Sequence, residues 1–428
     1  MMGVNISSLR AIEAARTSPQ FVRPLYDSYC FANIPGTISR ALTGMADGAV
    51  LPDDALGPYN RRWQKVALFF VDAFGWRFIE ERLEKYPALK ILSERGVLSK
   101  LTSQFPSTTA AHVTCINTGL APGQSGVYEW NMYEHNLDRV IQPLMFSGVG
   151  EKDRDLLAAE GVKADVVFPD QTIYQKLSRF DVKCMQYQPR DFVPSASADQ
   201  LGKGAKARPY KTLSEGIVNV RESILNNATR HYYFFYFSGI DTLCHQYGPN
   251  SAQVDAEIDT FLTALDRLFF SQLIGKAKDT LFLMTADHGM SETDPQTTVY
   301  LNNLVPDVRR FMKTTRRGEY IVPCGSPRDF FLHIEDGKLD EAQALLSAKL
   351  RGKADVVKVN DLIQQNYFGP APASETFLKR VGNLVILTYR GEAVWWYEKD
   401  RFEQRYYGHH GGLTPAEMEI PLFAWDFS

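Results

Sequence analysis

Three uninterrupted apolar runs, each followed within a few residues by an aspartate, constrain the fold of this 428-residue chain more than any other feature. The runs occupy residues 66–71, 231–237 and 280–285, and the aspartates are Asp72, Asp241 and Asp287. A strand that is apolar throughout indicates a sheet with both faces covered, and such sheets are mostly parallel. Because ligands bind beyond the carboxyl ends of parallel strands, we expect the three carboxylates to meet at one site.

Longer helical patterns lie between these runs, at residues 209–228 and 251–272. This alternation predicts an α/β fold with a mostly parallel central sheet and helices on both faces. The character changes at residues 301–400, where strand-like runs flank a helical pattern. The expected parts are an N-terminal segment wrapped around the main domain at 1–60, a main α/β domain at 61–300 and 401–428, and a smaller α+β cap inserted at 301–400.

The charge balance limits the classes of partner. Lysine and arginine total 47 against 50 acidic residues, whereas coating a nucleic-acid polymer or an anionic membrane requires a positive surplus. No apolar run approaches the roughly 18 residues that a membrane span needs. The five cysteines are scattered without C-x-x-C spacing and no secretory leader is apparent, so we expect reduced thiols in a cytoplasmic protein. The composition leaves the oligomeric state open.

Histidine is scarce, with eight in the chain, and its placement is informative. Five histidines fall in four short segments that also hold the strand-end features: His112, His245, His288, His409 and His410. Imidazole and carboxylate groups are the ligands that zinc and its neighbours prefer. Two sites follow, one from Asp241, His245 and His410, the other from Asp72, Asp287 and His288. A pair of divalent ions about 4 Å apart suits phosphoryl transfer.

A nucleophile is expected where Ser107, Thr108 and Thr109 precede a helical pattern that begins at Ala110. Free N–H groups at a helix N-terminus favour an anion such as a phosphoryl group. A threonine hydroxyl beside a divalent metal loses its proton more easily and becomes a better nucleophile. Either threonine fits this reasoning.

Taken together, these segments resemble the alkaline phosphatase superfamily, and more closely its type I phosphodiesterase/nucleotide pyrophosphatase branch. The motifs that carry the resemblance are Asp72-Ala-Phe-Gly75, Phe105-Pro-Ser-Thr-Thr109, Thr118-Gly119, Asp241-x-x-x-His245, Asp287-His288-Gly289 and His410-Gly-Gly412. They occur in family order between residues 66 and 421. The sulfatase signature, Cys or Ser followed by x-Pro-x-Arg, is absent from the sequence.

The resemblance implies that Thr109 is the nucleophile and forms a covalent phosphoryl- or nucleotidyl-threonine. It further implies one zinc site from Asp72, Thr109, Asp287 and His288, and a second from Asp241, His245 and His410. His410 is preferred to His409 because it directly precedes the Gly-Gly pair.

Three further residues are predicted to contact substrate. His112 stands where the family's phosphodiesterases usually carry an asparagine that donates to a phosphate oxygen, and Asn131 is expected near the site on the same resemblance. Arg328 begins a strand of the predicted cap, from which a guanidinium could bind a phosphate with two hydrogen bonds.

The predicted protein is a two-metal phosphoesterase that hydrolyses a small phosphodiester or nucleotide pyrophosphate, with zinc as the expected metal and manganese as the alternative. Two other interpretations remain open at this stage. One is a phosphomonoesterase or a manganese-dependent phosphate mutase of the same superfamily. The other is a metal-binding scaffold that has lost catalysis, although no nucleophile or ligand is missing from the motifs.

Overall fold

The computed structural model describes residues 3–428, so the first two residues of the predicted N-terminal segment lie outside it. Nineteen strands form five sheets within this range. In chain order they are β1 Gly3–Val4, β2 Lys65–Val71, β3 Val97–Thr102, β4 Met132–Glu134, β5 Arg139–Gln142, β6 Ser147–Gly148, β7 Lys183–Tyr187, β8 Ala205–Ala207, β9 His231–Phe237, β10 Thr280–Thr285, β11 Ser291–Glu292, β12 Val299–Tyr300, β13 Cys324–Ser326, β14 Asp329–Leu332, β15 Ala354–Lys358, β16 Leu384–Thr388, β17 Val394–Trp395, β18 Gly408–His409 and β19 Glu419–Trp425.

The α-helices occupy the segments between the strands. In chain order they are α1 Ile6–Ala14, α2 Ile34–Thr43, α3 Trp76–Arg82, α4 Pro87–Arg95, α5 Thr109–Thr118, α6 Pro122–Ser125, α7 Leu156–Ala159, α8 Ile173–Ser178, α9 Ala196–Leu201, α10 Leu213–Asn226, α11 Gly239–Tyr247, α12 Ala252–Ala264, α13 Ser271–Leu273, α14 Leu301–Leu304, α15 Leu339–Lys349, α16 Val359–Gln364, α17 Glu375–Arg380 and α18 Pro415–Met418. Within residues 3–428, none of these helices is long and apolar enough to cross a membrane.

The central sheet has eight strands in the order β1-β3-β19-β10-β2-β9-β7-β8. Every neighbouring pair is parallel except the two pairs that include β19, which runs against both β3 and β10. All residues of β2, β9 and β10 are buried. Because successive side chains point to opposite faces, this burial means that both faces of the sheet are covered. The predicted mostly parallel α/β fold is confirmed.

A second sheet lies within the segment predicted to be a cap. It has four antiparallel strands in the order β13-β14-β16-β15, and α15 contacts β15. A separate hydrophobic cluster forms beneath it, around Phe330, Leu346, Ile386 and Trp396. The division of the chain at residues 60, 300 and 400 stays a prediction.

Candidate active site

The candidate site lies at the carboxyl ends of three adjacent parallel strands. β2 pairs with β10 on one side and with β9 on the other, so the three ends share one edge of the sheet. Asp72 directly follows β2, Asp287 lies two residues beyond β10, and Asp241 lies in the first turn of α11, just after β9. The expectation that these carboxylates meet rests on this strand order, which the sequence alone does not give.

The first cluster contains Asp72, Asp287, His288 and Thr109. His288 Nε2 lies 3.5 Å from Asp72 Oδ1 and 3.3 Å from Asp287 Oδ2. Thr109 Oγ1 is 3.2 Å from the same nitrogen. The other oxygen of Asp287 accepts hydrogen bonds from the backbone N–H of Ala73, at 3.1 Å, and of His288, at 2.9 Å. These bonds fix the Asp287 carboxylate with Oδ2 toward the cluster.

The second cluster contains Asp241, His245 and His410. Asp241 Oδ1 lies 3.5 Å from His245 Nε2 and 3.7 Å from His410 Nε2. The Nδ1 atoms of both histidines bond backbone carbonyls, that of Gly408 at 2.8 Å and that of Ser107 at 2.9 Å. An Nδ1–H that donates to a carbonyl leaves the lone pair on Nε2, the usual arrangement of a metal-binding histidine.

The two clusters adjoin, because the rings of His288 and His410 stack with centroids 3.6 Å apart. Close backbone packing brings the strand-end loops together at this point. A Cβ built on Gly75 would lie only 2.5 Å from the Cα of Gly289, so neither loop could approach as closely with a side chain at Gly75.

The donor atoms fit a pair of divalent metal ions. Asp72 Oδ1, Asp287 Oδ2 and Asp241 Oδ1 are buried and have no hydrogen-bond partner among residues 3–428. An orphaned buried carboxylate oxygen is costly unless a cation or a proton compensates it. The ligand atoms form two sets, and within each set all atoms lie within 4.8 Å of one another. One set comes from Asp72, Asp287 and His288, and the other from Asp241, His288 and His410. Imidazole nitrogen with carboxylate oxygen is a donor set that suits zinc.

Burial shapes the acid–base state of these groups. It raises the pKa of Asp72 and Asp241, and it raises that of Asp287 to about 7. The same burial lowers the pKa of His288 and His410, so both imidazoles are neutral near pH 7 and can act as ligands. The metal-free site therefore holds protons on its carboxyl groups rather than on its histidines.

We expect the zinc affinity of the metal-free protein to fall as the pH is lowered from about 7 to about 5.5. A bound ion must displace the proton of Asp287, whose pKa is about 7, so each competing proton should cost about tenfold in affinity per pH unit. Titration with zinc against a chromogenic chelator at a series of pH values measures this change.

The stability of the metal-free protein gives an independent check with a defined sign. The folded Asp287 carboxyl has the higher pKa, so the folded state binds more protons than the unfolded state between about pH 4 and pH 7. The free energy of unfolding should therefore fall as the pH rises through this window, and added zinc should restore it at pH 7. An affinity for zinc that does not change with pH would contradict the prediction.

The structure corrects the expectation that His112 contacts substrate. Its ring is fully buried, and burial lowers its pKa to about 3. Nδ1 bonds the carbonyl oxygen of Thr108 at 2.7 Å, while Nε2 lies 2.9 Å from Ser103 Oγ and accepts from the backbone N–H of Gln104 at 3.0 Å. With both nitrogens occupied, His112 holds the turn that precedes Thr109 and has no free donor for a phosphate.

Arg328 is also not available to a substrate. It is fully buried, and its Nε and Nη2 bond both oxygens of Glu417, at 3.0 and 2.9 Å. Its Nη1 donates to the carbonyl oxygens of Tyr389 and Glu392. Glu417 in turn accepts from the backbone N–H of Gly412, so the pair anchors the loop that presents His410.

Asn131, His409 and His410 occupy different positions around the site. Asn131 lines a cavity of about 830 Å³ together with Thr109 and His410. Its Nδ2 donates to the carbonyl oxygen of Gly325 at 3.0 Å, whereas its Oδ1 has no partner among residues 3–428. His409 bonds the side-chain amide of Gln404 through Nε2, which leaves His410 as the histidine that points into the second cluster.

Two side chains at the site were not predicted from the sequence. The hydroxyl of Tyr236 donates to Asp72 Oδ2 and fixes that carboxylate. Arg154 lines a cavity of about 250 Å³ together with Thr109, Asp72 and Asp241. Tyr236 carries a sequence signal, since it stands near the end of an apolar run that points at the site. Arg154 lies in a stretch with no motif, and only the folded chain brings it to the cavity that Thr109 lines.

Comparison with known proteins agrees with this geometry. The family described as type I phosphodiesterase/nucleotide pyrophosphatase matches residues 66–413. The chain therefore belongs to this family, a branch of the alkaline phosphatase superfamily. The prediction of a hydrolase acting on phosphoric ester bonds is confirmed at the level of the family.

Individual relatives are distant. The mouse protein ectonucleotide pyrophosphatase/phosphodiesterase family member 1 is 23% identical over 279 residues, which are 62% of this chain and 28% of that protein. This chain thus spans less than a third of that relative's length.

Among solved structures, murine ectonucleotide pyrophosphatase/phosphodiesterase 5 has a TM-score of 0.61 at 17% identity, with 85% of this chain and 88% of that chain covered. An inactive variant of it in complex with AMP matches with a TM-score of 0.61 at 16% identity and the same coverage. Phosphonoacetate hydrolase from Sinorhizobium meliloti, in complex with phosphonoacetate, has a TM-score of 0.60 at 17% identity over 86% and 92% of the two chains. At these identities the likeness establishes the fold.

Proposed function

We propose that this protein is a two-metal phosphodiesterase that hydrolyses a small phosphodiester or nucleotide pyrophosphate through a covalent phosphothreonine at Thr109. The observation that carries the proposal is the position of Thr109 Oγ1, 3.2 Å from His288 Nε2, at the point where two orphaned acid–histidine clusters adjoin. A catalytically retired scaffold would be expected to lack one of these groups.

Zinc is the metal that the donor set fits, with manganese as the alternative. Asp72, Thr109, Asp287 and His288 would hold one ion, and Asp241, His245 and His410 the other. Bound there, two divalent cations would lower the pKa of the attacking hydroxyl and neutralise the charge that develops on the attacking and leaving oxygens.

The chain's own groups position the reaction. Thr109 is the first residue of α5, whose first-turn N–H groups have no partner inside the helix and can donate to the phosphoryl oxygens. Oγ1 attacks phosphorus opposite the leaving oxygen, and water then hydrolyses the phosphothreonine from the vacated side. Tyr236 keeps Asp72 oriented throughout through its hydrogen bond to Oδ2.

The space around Thr109 supports a diester rather than a monoester. Thr109, Trp130 and Asp241 border both the cavity that contains Arg154 and the cavity that contains His410. A phosphodiester carries two substituents on phosphorus, and two cavities that meet at the nucleophile can receive one each. Ser326 and Trp395, from the segment proposed as a cap, line the second cavity, so that segment would contribute to substrate choice.

Hydrolysis of bis-(p-nitrophenyl) phosphate beside p-nitrophenyl phosphate tests the proposal. Protein freed of metal and reloaded with zinc or with manganese should turn over the diester with a kcat/KM at least about tenfold above that of the monoester. A preference for the monoester would move the protein to the phosphatase side of the superfamily. Absence of turnover on both substrates, with two metals bound per chain, would favour the retired scaffold.

A further inference from the structure

The guanidinium of Arg154 is the unusual charge in the active-site cavity. The side chain is partly buried and borders the same cavity of about 250 Å³ as Thr109 and Asp72. Apolar side chains, among them Val113, Leu144 and Phe234, make up much of the wall. A cation that faces such a cavity requires a compensating interaction, because its partial removal from water costs free energy.

Arg154 has no carboxylate partner within residues 3–428. No acidic oxygen lies within 4.0 Å of its guanidinium, and its hydrogen bond is made by Nη1 to the carbonyl oxygen of Leu144. The ring of Phe192 lies 5.6 Å from Cζ, which supports the cation on one side. The neighbouring Asp155 is turned to another partner, since its Oδ1 accepts from the backbone N–H of Ala196.

Within residues 3–428, the other arginines that are buried, or that border the cavity containing His410, do have acidic partners. Arg328 binds Glu417 with two hydrogen bonds, and Arg380 lies 2.6 Å from Glu134. Arg401, which borders the cavity that contains His410, pairs with Glu398 at 3.1 Å. Arg154 is therefore the arginine at the nucleophile whose Nε and Nη2 donors, in the described chain, are left for a ligand.

The chemistry of these donors defines the ligand class. A guanidinium presents a planar fork of N–H groups that matches a carboxylate or a phosphate, and it keeps its charge at any physiological pH. Burial lowers the pKa of Arg154, and the charge of the neighbouring Asp155 offsets this effect only in part. An anion that entered the cavity would replace the lost hydration and satisfy the two idle donors.

We propose that Arg154 forms a second anion subsite, which binds a carboxylate or phosphate group that the substrate carries in addition to the phosphoryl group attacked by Thr109. The subsite rests on the proposed function, because it assumes that the phosphoryl group lies at Thr109. It narrows the substrate class to doubly anionic phosphoesters, in which the second charge is located on the substituent that enters the Arg154 cavity.

Three esters that share a p-nitrophenyl leaving group test the subsite. Their second substituent is 2-carboxyethyl, 2-phosphonoethyl or the uncharged 2-carbamoylethyl group. The native protein should favour the two anionic esters, and the ratio between them tells which anion the subsite prefers. Arg154→Met should lower kcat/KM for the anionic esters about tenfold or more, chiefly through KM, while the neutral ester changes less than about twofold.

Two further variants control the comparison. Arg154→Lys restores a charge without the planar fork and should recover part of the preference. Arg139→Met removes a partly exposed arginine that pairs with Glu160 at 2.7 Å and lines neither of the two cavities at Thr109, and it should leave all three esters unchanged. Metal content and thermal unfolding of each variant show whether the fold is retained.

Failure of the subsite and failure of the proposed function give different results. An equal loss on all three esters, or no loss on any, would overturn the subsite while turnover of the neutral ester upheld the phosphodiesterase. If the native protein hydrolyses none of them, calorimetric binding of the esters to Thr109→Ala protein gives the comparison without turnover. Equal affinity of the carboxyethyl and carbamoyl esters in that measurement would also overturn the subsite.

Discussion

Replacing Thr109 with alanine is expected to lower phosphodiester turnover by about a thousandfold or more while two metals remain bound. In the proposed mechanism the hydroxyl attacks phosphorus and is also one of four ligands of the first ion. The carboxylates and imidazoles that would hold the two ions are untouched by its removal. Initial rates on bis-(p-nitrophenyl) phosphate, together with metal analysis of the same sample, measure both parts of the expectation.

Thr108 provides the matched control. It precedes Thr109, is also buried, and its hydroxyl oxygen has no hydrogen-bond partner among residues 3–428. Thr108→Ala should therefore retain most of the turnover, and Thr109→Ser should retain a measurable part because it keeps a hydroxyl. Loss of turnover in Thr108→Ala with normal turnover in Thr109→Ala would show that Thr108 is the nucleophile and would contradict the proposed mechanism.

Replacing Arg328 with methionine is expected to destabilise the fold by about 3–5 kcal/mol, the usual cost of leaving a buried charge without its partner. Glu417 would remain fully buried with neither of the bonds that it now receives from the guanidinium. Because Glu417 also holds the N–H of Gly412, the loop that presents His410 should loosen and zinc affinity should fall as well. Urea unfolding with and without zinc measures the two effects.

The same substitution distinguishes a structural role of Arg328 from the substrate contact that the sequence predicted. Arg310→Met is the control, because Arg310 pairs with Asp307 and Glu341 on the surface and should cost less than about 1 kcal/mol. A raised KM in Arg328→Met with unchanged free energy of unfolding would restore the substrate contact and contradict the structure.

The strands that reach the site could be predicted from local sequence. The runs at 66–71, 231–237 and 280–285 correspond to β2, β9 and β10 within one residue, because a short apolar segment between polar flanks has few other ways to be buried. β3 belongs to the same sheet, separated from them by β19, and was not predicted. Its Ser99 and Lys100 interrupt the apolar pattern. The charge of Lys100 is compensated by a residue far away in the chain, since Lys100 Nζ lies 2.6 Å from Glu419.

The residues of the candidate site also differ in how far local sequence could predict them. The candidate ligands could be predicted because each sits at a strand end or beside a short histidine motif, and the structure brings them together, although their function stays a proposal. His112 and Arg328 were misjudged because the groups that occupy them are visible only in the folded chain. Arg154 was missed because the sequence does not show that its guanidinium lacks an acidic partner, which only the structure reveals.

The position of β19 has a consequence for how the chain is made. This strand is the last of the central sheet in sequence, yet it lies between β3 and β10 and is antiparallel to both. Until residues 419–425 leave the ribosome, a nascent chain carries two separate half-sheets with unpaired inner edges, which are prone to non-native pairing. Synthesis that stops before residue 419 would produce an aggregation-prone chain that keeps every candidate metal ligand. Protection from aggregation therefore depends on completion of the central sheet and not on completion of the site.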